Sequence, residues 1–173
     1  MAISTPINLN KWIEENRHLL KPPVGNKVVY ELSEDFIIMI VGGPNSRKDY
    51  HFEEGEELFY QLEGDITVKT IQDGKHIDVN IKAGEMFLLP PHIPHSPQRG
   101  PNTIGLVVER KRKEEEIDKC MWFCESCATK LYEAEFSVED IVEQLKAVME
   151  KFYGDEALRT CKECDAVMEV PKL

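Results

Sequence analysis

Between residues 28 and 112 the chain reads as a series of strand-like segments, and in two of them hydrophobic and polar residues alternate with the period of two that predicts a β-strand. Residues 66–71 and 77–82 alternate in this way on either side of Asp73-Gly74, a pair typical of hairpin turns. Residues 36–41 form a continuous apolar run, as expected of a strand that is buried on both faces. Further strands are predicted at residues 28–32, 57–62, 86–89 and 104–108. Many short strands separated by turns predict a mostly β fold, either a sandwich or a barrel.

Helices are predicted only towards the two ends of the chain. The N-terminal helix can be capped by Asn8 or Asn10, and it ends before Pro22, because proline disfavours helix at the residue that precedes it. A small C-terminal helix ends at Gly154. Its apolar face repeats at helical spacing through Ile141, Val142, Leu145, Val148, Met149 and Phe152.

The composition changes after Glu109. Residues 110–119 are a run of charges, which we interpret as a solvated linker. We therefore expect a barrel with its N-terminal helix over residues 1–112 and a C-terminal annex over residues 113–173, packed together as one compact unit.

Charge and hydropathy narrow the function classes. The chain has 173 residues and a formal net charge of -11, which argues against a general nucleic-acid partner, since such a partner requires a basic face. No apolar run approaches the roughly 20 residues that span a bilayer, so no membrane partner is expected. The N-terminus shows no secretory signal pattern, and a cytoplasmic location is expected. In that compartment cysteines are metal ligands or free thiols more often than disulfides.

Two histidines and one glutamate form the main candidate for chemistry. His51 and Glu57 lie in one strand-rich segment, and His95 follows a bend that contains three prolines. Two imidazoles and one carboxylate hold Fe(II) and leave positions open for substrate and dioxygen, as in non-haem iron oxygenases. Each histidine taken alone is more often a surface residue than a ligand, so the identities by themselves leave both interpretations open.

Four cysteines form two pairs with the spacing of a metal knuckle. Cys124 and Cys127 make the first Cys-x-x-Cys, and Cys161 and Cys164 make the second. This spacing predicts a closed, structural tetrathiolate site, and its sulfur ligands suit zinc or iron equally well. Cys120 has no partner in this pattern and is interpreted as a bystander thiol.

The two segments around the candidate ligands resemble the motifs of the cupin superfamily, which implies a jelly-roll β-barrel. The first motif is filled by Gly43, His51, Glu57 and Gly64, and the second by Gly84, Pro90 and His95. One position departs from the usual pattern, because Glu53 stands where most cupins have a second histidine. The departure points to a three-ligand subset of cupins.

Longer strings resemble the 3-hydroxyanthranilate 3,4-dioxygenase family in its shorter bacterial and fungal form. The matching strings lie at residues 20–26, 41–45, 49–51, 88–92 and 94–99, together with the two late Cys-x-x-Cys pairs. The resemblance covers nearly the whole chain. It implies an Fe²⁺-dependent enzyme that opens the ring of 3-hydroxyanthranilate with O2 and supplies the precursor of quinolinate, in tryptophan catabolism through kynurenine and pyridine nucleotide biosynthesis.

The resemblance also implies roles for single residues. His51, Glu57 and His95 are then the iron ligands, with Glu57 also beside the substrate. Arg47 and Glu109 take catalytic and substrate-binding positions, and Arg99 binds the substrate. A rubredoxin-like second iron at the cysteine site and a homodimer are implied as well.

Two other function classes remain open at this point. One is a non-enzymatic cupin that binds a small ligand through a structural metal. The other is a redox or regulatory zinc-ribbon protein with a degenerate cupin. The complete triad, the two arginines and Glu109 favour the dioxygenase over both.

Overall fold

The structure is a computed structural model, and it describes residues 5–21, 25–45, 47–136 and 141–171, with the side chains of residues 136 and 141–146 left aside. The helices of this part are α1 (Leu9–Asn16), α2 (Ile141–Gly154) and α3 (Glu156–Arg159), and a 3-10 turn spans Arg17–Leu19. The strands are β1 (Asn26–Val28), β2 (Phe36–Gly42), β3 (Tyr50–Phe52), β4 (Glu57–Glu63), β5 (Ile66–Gln72), β6 (Lys75–Ile81), β7 (Met86–Leu89), β8 (His95–Arg99), β9 (Ile104–Arg110), β10 (Asp118–Phe123) and β11 (Lys130–Phe136).

The strands form two antiparallel sheets. Sheet one has the order β1-β2-β9-β4-β7, and sheet two has the order β11-β10-β3-β8-β5-β6. The main core lies between them and combines Phe59, Leu89 and Val107 of sheet one with Ile66 and Val68 of sheet two. The prediction of a mostly β barrel with small helices is therefore confirmed. The predicted strand at residues 28–32 is wrong in its bounds, because the chain turns at Tyr30, whose carbonyl accepts from the Ser33 amide at 3.3 Å.

The N-terminal helix covers one end of the outer face of sheet one. Asn8 is its cap, and the Asn8 side chain accepts from the Lys11 amide at 3.0 Å. Ile13 and Leu20 pack on Ile40 and Ile104 of the sheet. The predicted helix is confirmed at its N-terminal end, while its last turn is a 3-10 turn.

The charge run between residues 110 and 119 is more than a solvated linker. Residues 113–115 are exposed, as predicted, but the side chain of Arg112 is mostly buried and that of Asp118 is fully buried. Asp118 opens β10, which pairs with β3 on one side and with β11 on the other. The interpretation of the whole run as solvated is therefore wrong, since two of its charges are compensated inside the protein.

The C-terminal helix packs on the far edge of sheet two. It ends at Gly154, as predicted, and the Phe152 ring stacks on Trp122 of β10 with 4.4 Å between centroids. The predicted apolar positions Ile141, Val142 and Leu145 fall outside the described side chains. None of the helices in the described part of the chain has the length and apolar character needed to cross a bilayer.

Candidate active site

The predicted ligands come from both sheets and face the space between them. In sheet two, His51 of β3 lies directly opposite His95 of β8. In sheet one, Glu57 of β4 lies directly opposite Glu109 of β9. Residues paired across antiparallel strands have their side chains on the same face, so each sheet contributes one pair to the interior. The structure thus brings all three predicted iron ligands and Glu109 together.

His95 is held by its backbone neighbour. Its Nδ1 donates to the Ile93 carbonyl at 2.9 Å, which leaves Nε2 as the nitrogen that faces the site. Nε2 lies 2.7 Å from Oε2 of Glu57. Burial opposes the charge on Glu57, but the interactions with His95, His51 and Arg47 outweigh it and keep the pKa of Glu57 below its usual range.

His51 is oriented by a buried carboxylate. Its Nε2 lies 2.7 Å from Oδ2 of Asp118, whose side chain is fully buried. Burial alone would raise the pKa of Asp118, but hydrogen bonds from His51 and Arg112 lower it to about 2. Ligating histidines commonly give one ring nitrogen to a carboxylate and the other to the metal. Asp118 therefore fixes the orientation of the His51 ring.

The donor set fits a divalent cation. The ligand atoms of His51, Glu57 and His95, together with a carboxylate oxygen of Glu53, lie within 4.8 Å of one another. Oε2 of Glu57 is buried and, although Nε2 of His95 lies close to it, has no well-aligned hydrogen bond among the described residues. A carboxylate oxygen and an imidazole nitrogen that face each other at 2.7 Å need a shared proton or a cation between them. Two imidazoles and a carboxylate suit Fe(II).

Glu53, which stands at the departure from the usual cupin pattern, belongs to this cluster. It is buried, and neither of its side-chain oxygens has a well-aligned hydrogen bond among the described residues. Burial and the neighbouring Glu109 carboxylate raise the pKa of Glu53 to about 9. The sequence marks Glu53 only as a missing histidine, whereas the structure places it beside the ligands.

Arg99 lies on the same strand and the same face as His95. Its side chain is buried, and Nη1 donates to Oε1 of Gln61 at 3.2 Å. No carboxylate of the described residues forms an ion pair with it, and burial lowers the pKa of Arg99 to about 10. Gly105 makes room for the pair, because a Cβ there would lie 2.7 Å from Oε1 of Gln61 and 2.9 Å from Nη1 of Arg99. A buried guanidinium without an acidic partner is a ready site for an anion.

Arg47 lies near the cluster but is already paired. Its guanidinium binds the buried Asp49 through Nε, at 3.3 Å, and through Nη2. Burial opposes its charge, but Asp49 outweighs this and raises the pKa of Arg47. The two predicted arginines therefore differ, since Asp49 pairs with Arg47 through Nε and Nη2, whereas no carboxylate of the described residues pairs with Arg99.

Glu109 faces Glu57, and Arg112 binds its carboxylate. Its Oε2 accepts from Nη1 of Arg112 at 3.0 Å. Burial raises the pKa of Glu109, and the Arg112 charge opposes part of that rise. Glu109 is therefore a buried carboxyl whose proton affinity is higher than that of a solvated glutamate, which suits a group that takes a proton from a substrate.

Four residues around the site were missed from the sequence: Gln61, Arg112, Asp118 and, as a member of the cluster, Glu53. Gln61 carried a usable signal, because it follows Glu57 by four residues on a predicted strand and so shares its face. Arg112 and Asp118 carried none, because both stand in a charge run where most neighbours are exposed.

The four predicted cysteine ligands also meet. The sulfurs of Cys124 and Cys164 are 3.6 Å apart, as are those of Cys127 and Cys161. This is well above the length of a disulfide and close to the ~3.8 Å edge of a tetrahedron with metal–sulfur bonds of about 2.3 Å. The two turns repeat one hydrogen-bond pattern, in which the Ala128 amide donates to the Cys124 carbonyl at 2.9 Å and the Asp165 amide to the Cys161 carbonyl at 3.0 Å.

Cys120 is buried and lies apart from this cluster. It lies directly opposite His51 in the pairing of β10 with β3, and its thiol is 3.8 Å from a carboxylate oxygen of Asp49. Burial raises the pKa of the Cys120 thiol, so it remains protonated.

The chain is similar to several known proteins. A cupin-2 domain protein from Shewanella frigidimarina superposes with a TM-score of 0.48 at 20% identity, covering 61% of this chain and 94% of that one. A 3-hydroxyanthranilate 3,4-dioxygenase from Xanthomonas campestris is 53% identical over 167 residues, which are 96% of this chain and 94% of that protein. One from Neurospora crassa is 48% identical, with 96% and 92% covered. The sequence model of the 3-hydroxyanthranilic acid dioxygenase family matches residues 1–153, and the chain therefore belongs to that family.

Proposed function

We propose that this chain catalyses the O2-dependent ring opening of 3-hydroxyanthranilate to 2-amino-3-carboxymuconate semialdehyde, which closes to quinolinate. The observation that carries the proposal is the buried guanidinium of Arg99, which lies on the strand that also carries His95 and has no acidic partner among the described residues. An aromatic acid could bind Arg99 through its carboxylate and reach the metal ligand His95 with its ring, so that it would occupy both ends of the site. The four-residue separation corresponds to about 13 Å of strand, a distance that a benzoate ring and an arginine side chain together fill.

His51, Glu57 and His95 would hold the iron. When bound, Fe(II) supplies the coordination positions for the substrate's neighbouring hydroxyl and amino groups and the electrons that activate O2. Asp118 and the Ile93 carbonyl hold the two imidazole rings in place. Because the ligands stand on paired strands of two packed sheets, the site is preorganised before metal arrives.

The remaining polar residues would orient the substrate. Arg99 binds its carboxylate at two points, since a planar guanidinium matches a carboxylate. Glu109, whose pKa is raised by burial, takes the proton of the ring hydroxyl. Arg47 stabilises negative charge that develops on oxygen during the reaction. With the ring held at its carboxylate and its hydroxyl, the bond beside the hydroxyl-bearing carbon is the one presented for cleavage.

Oxygen uptake by iron-loaded protein tests the proposal and separates it from a non-enzymatic cupin. Protein loaded with Fe(II) under anaerobic conditions should consume one O2 for each 3-hydroxyanthranilate and form quinolinate. Anthranilate, which lacks the hydroxyl, should bind without being cleaved. A ligand-binding protein would bind both aromatic acids and consume no oxygen with either, and this result would overturn the proposal.

At the cysteine site we propose a second metal, iron or zinc, with a structural role. Four sulfurs at tetrahedral spacing leave no position for a substrate. Two of the ligands lie in the turn between β10 and β11 and two follow α3, so the metal would tie the end of the chain to sheet two.

We also propose a cytoplasmic homodimer, joined through the part of sheet one that α1 leaves bare. The outer face of sheet one carries Leu88, Leu58, Val108 and Ile38 in register across four strands. Met86 and Leu88 on the edge strand are 66% and 52% exposed. An apolar sheet face of this width on a protein surface usually marks an interaction site. Free cysteines throughout the chain fit a reducing compartment.

A further inference from the structure

Arg112 reaches from the charged segment after β9 back into the barrel. Its Nε donates to Oδ1 of Asp118 at 2.8 Å, and Nη2 donates to Oδ2 of the same group at 2.8 Å. Nη1 donates to Oε2 of Glu109 at 3.0 Å. Nη2 also lies 3.0 Å from Oε2 of Glu53. The side chain is only 12% exposed, so these contacts are made largely out of water.

The three carboxylates belong to three parts of the fold. Glu53 follows β3, Glu109 lies on β9 of sheet one, and Asp118 opens β10 of sheet two. The guanidinium is the one cation within ion-pair distance of Glu53 or Glu109 among the described residues, while Asp118 is also bonded to His51. One side chain therefore joins the two sheets behind the cluster of ligands.

We propose that Arg112 is a positioning residue, which holds Glu109 towards the substrate and holds the His51 ring through Asp118. The proposal has two branches. The substrate branch concerns Glu109 and rests on the function proposed above, whereas the metal branch concerns His51 and is independent of the reaction. A guanidinium binds Asp118 at two points and turns its remaining edge to Glu109, whereas a lysine ammonium offers one point of charge. Arg112→Lys should therefore keep the charge and lose the alignment.

The experiment compares Arg112→Lys with a matched control, Arg110→Lys. Arg110 stands two residues earlier at the end of β9, is 34% exposed, and pairs with Glu116 outside the site. Arg112→Ala would leave buried carboxylates unpaired and unfold the protein, so the lysine variant is the informative one. We expect kcat/KM with 3-hydroxyanthranilate to fall about 10- to 100-fold in Arg112→Lys and to stay within about twofold of wild type in Arg110→Lys.

A double-mutant cycle separates positioning from general stability. If Arg112 acts through Glu109, Arg112→Lys should cost much less in kcat/KM in a Glu109→Gln background than in wild type. A purely structural effect would give the same loss in both backgrounds, and that result would overturn the substrate branch. Equal kinetics of Arg112→Lys and Arg110→Lys would overturn it as well.

Metal binding tests the other branch without turnover. The Kd for Mn(II), measured by calorimetry, should rise about tenfold in Arg112→Lys and in Asp118→Asn. The double variant should bind Mn(II) no more weakly than whichever single variant binds it less tightly. An unchanged Kd in Arg112→Lys would overturn this branch. Failure of the proposed function would appear differently, as wild-type protein that binds Mn(II) normally but does not turn over 3-hydroxyanthranilate.

Discussion

At the scale of single residues, the site is defined by how each charge is compensated. Arg47 and Arg112 have carboxylate partners inside the protein, while the only side-chain partner of the Arg99 guanidinium in the described part of the chain is the neutral Gln61. Burying a cation without an anion costs stability, and that cost is recovered when an anionic ligand binds. The difference between the arginines supports our proposal that Arg99 recognises the substrate carboxylate.

Loss of the Arg99 guanidinium should therefore mainly weaken substrate binding. Arg99→Ala should weaken the interaction with the substrate by about 2–5 kcal/mol, raising KM strongly and lowering kcat because the ring is held loosely. Arg99→Lys should recover part of this loss, since an ammonium cannot make the two-point contact. Steady-state kinetics with metal analysis checks this prediction. Near-normal kinetics in Arg99→Ala at full iron content would show that another residue holds the carboxylate.

Gly105 offers a test that does not touch a charged group. In Gly105→Ala the added methyl would meet the side-chain ends of Gln61 and Arg99, which can shift without moving the backbone. We expect KM to rise about tenfold, with the thermal unfolding midpoint within a few degrees of wild type. Gly100→Ala is the matched control, because nothing lies within 4 Å of its Cβ position. Equal KM values in the two variants would contradict the packing of Arg99 described here.

At the scale of elements, the sequence predicted the strands that carry Glu57 and Glu109, but it missed β3 and β8, which carry His51 and His95, and β10, which supports them. Strand-like runs and turn residues predict β4, β5, β6, β7 and β9, and the motif spacing of His51, Glu57 and His95 predicts the candidate metal site. β10 was missed because its first two residues, Asp118 and Lys119, stand in a charge run, and the four residues that follow are apolar without alternation. Its pairing with β3, which places Asp118 beside His51, is a long-range contact that no local pattern encodes.

The turns that carry the cysteines lead to a prediction about how secondary-structure elements pack, rather than about catalysis. Cys161→Ser should remove the second metal and loosen the packing of the C-terminal helix on Trp122, because the turn after α3 loses its anchor. The metal content should fall by one equivalent, and hydrogen exchange should rise in β11 and α2 while the triad keeps its iron. Cys120→Ser is the control, since Cys120 lies outside the cluster. A folded Cys161→Ser protein with a full triad and no activity would contradict a purely structural role.

At the scale of the whole molecule, the two sheets have unequal outer surfaces. Sheet two buries Tyr50, Met121 and Phe123 under its own loops, whereas sheet one leaves Met86 and Leu88 exposed beyond α1. The net charge of -11 opposes close approach of two copies except where the contact surface is apolar. Among the described residues, the bare part of sheet one is a surface that meets this condition.

A charge placed on that surface should separate the proposed dimer. Leu88→Glu should convert a particle of twice 19.9 kDa into one of 19.9 kDa, because a buried unpaired carboxylate is costly at an apolar interface. Ile77→Glu on β6 is the control, since Ile77 is a similarly exposed apolar residue on sheet two. Light scattering after size-exclusion chromatography measures the mass. A dimer that survives Leu88→Glu but not Ile77→Glu would place the interface on the other sheet.

The central claim is that His51, Glu57 and His95 hold the iron at which 3-hydroxyanthranilate is cleaved. Oxygen uptake with 3-hydroxyanthranilate, measured together with iron content, tests it most directly in wild type and in His51→Ala, Glu57→Ala and His95→Ala. We expect wild type to consume oxygen in proportion to its iron at the triad, and each variant to lose both iron at that site and turnover while its circular dichroism stays that of a folded β protein. A variant that keeps normal turnover and normal iron would contradict the assignment.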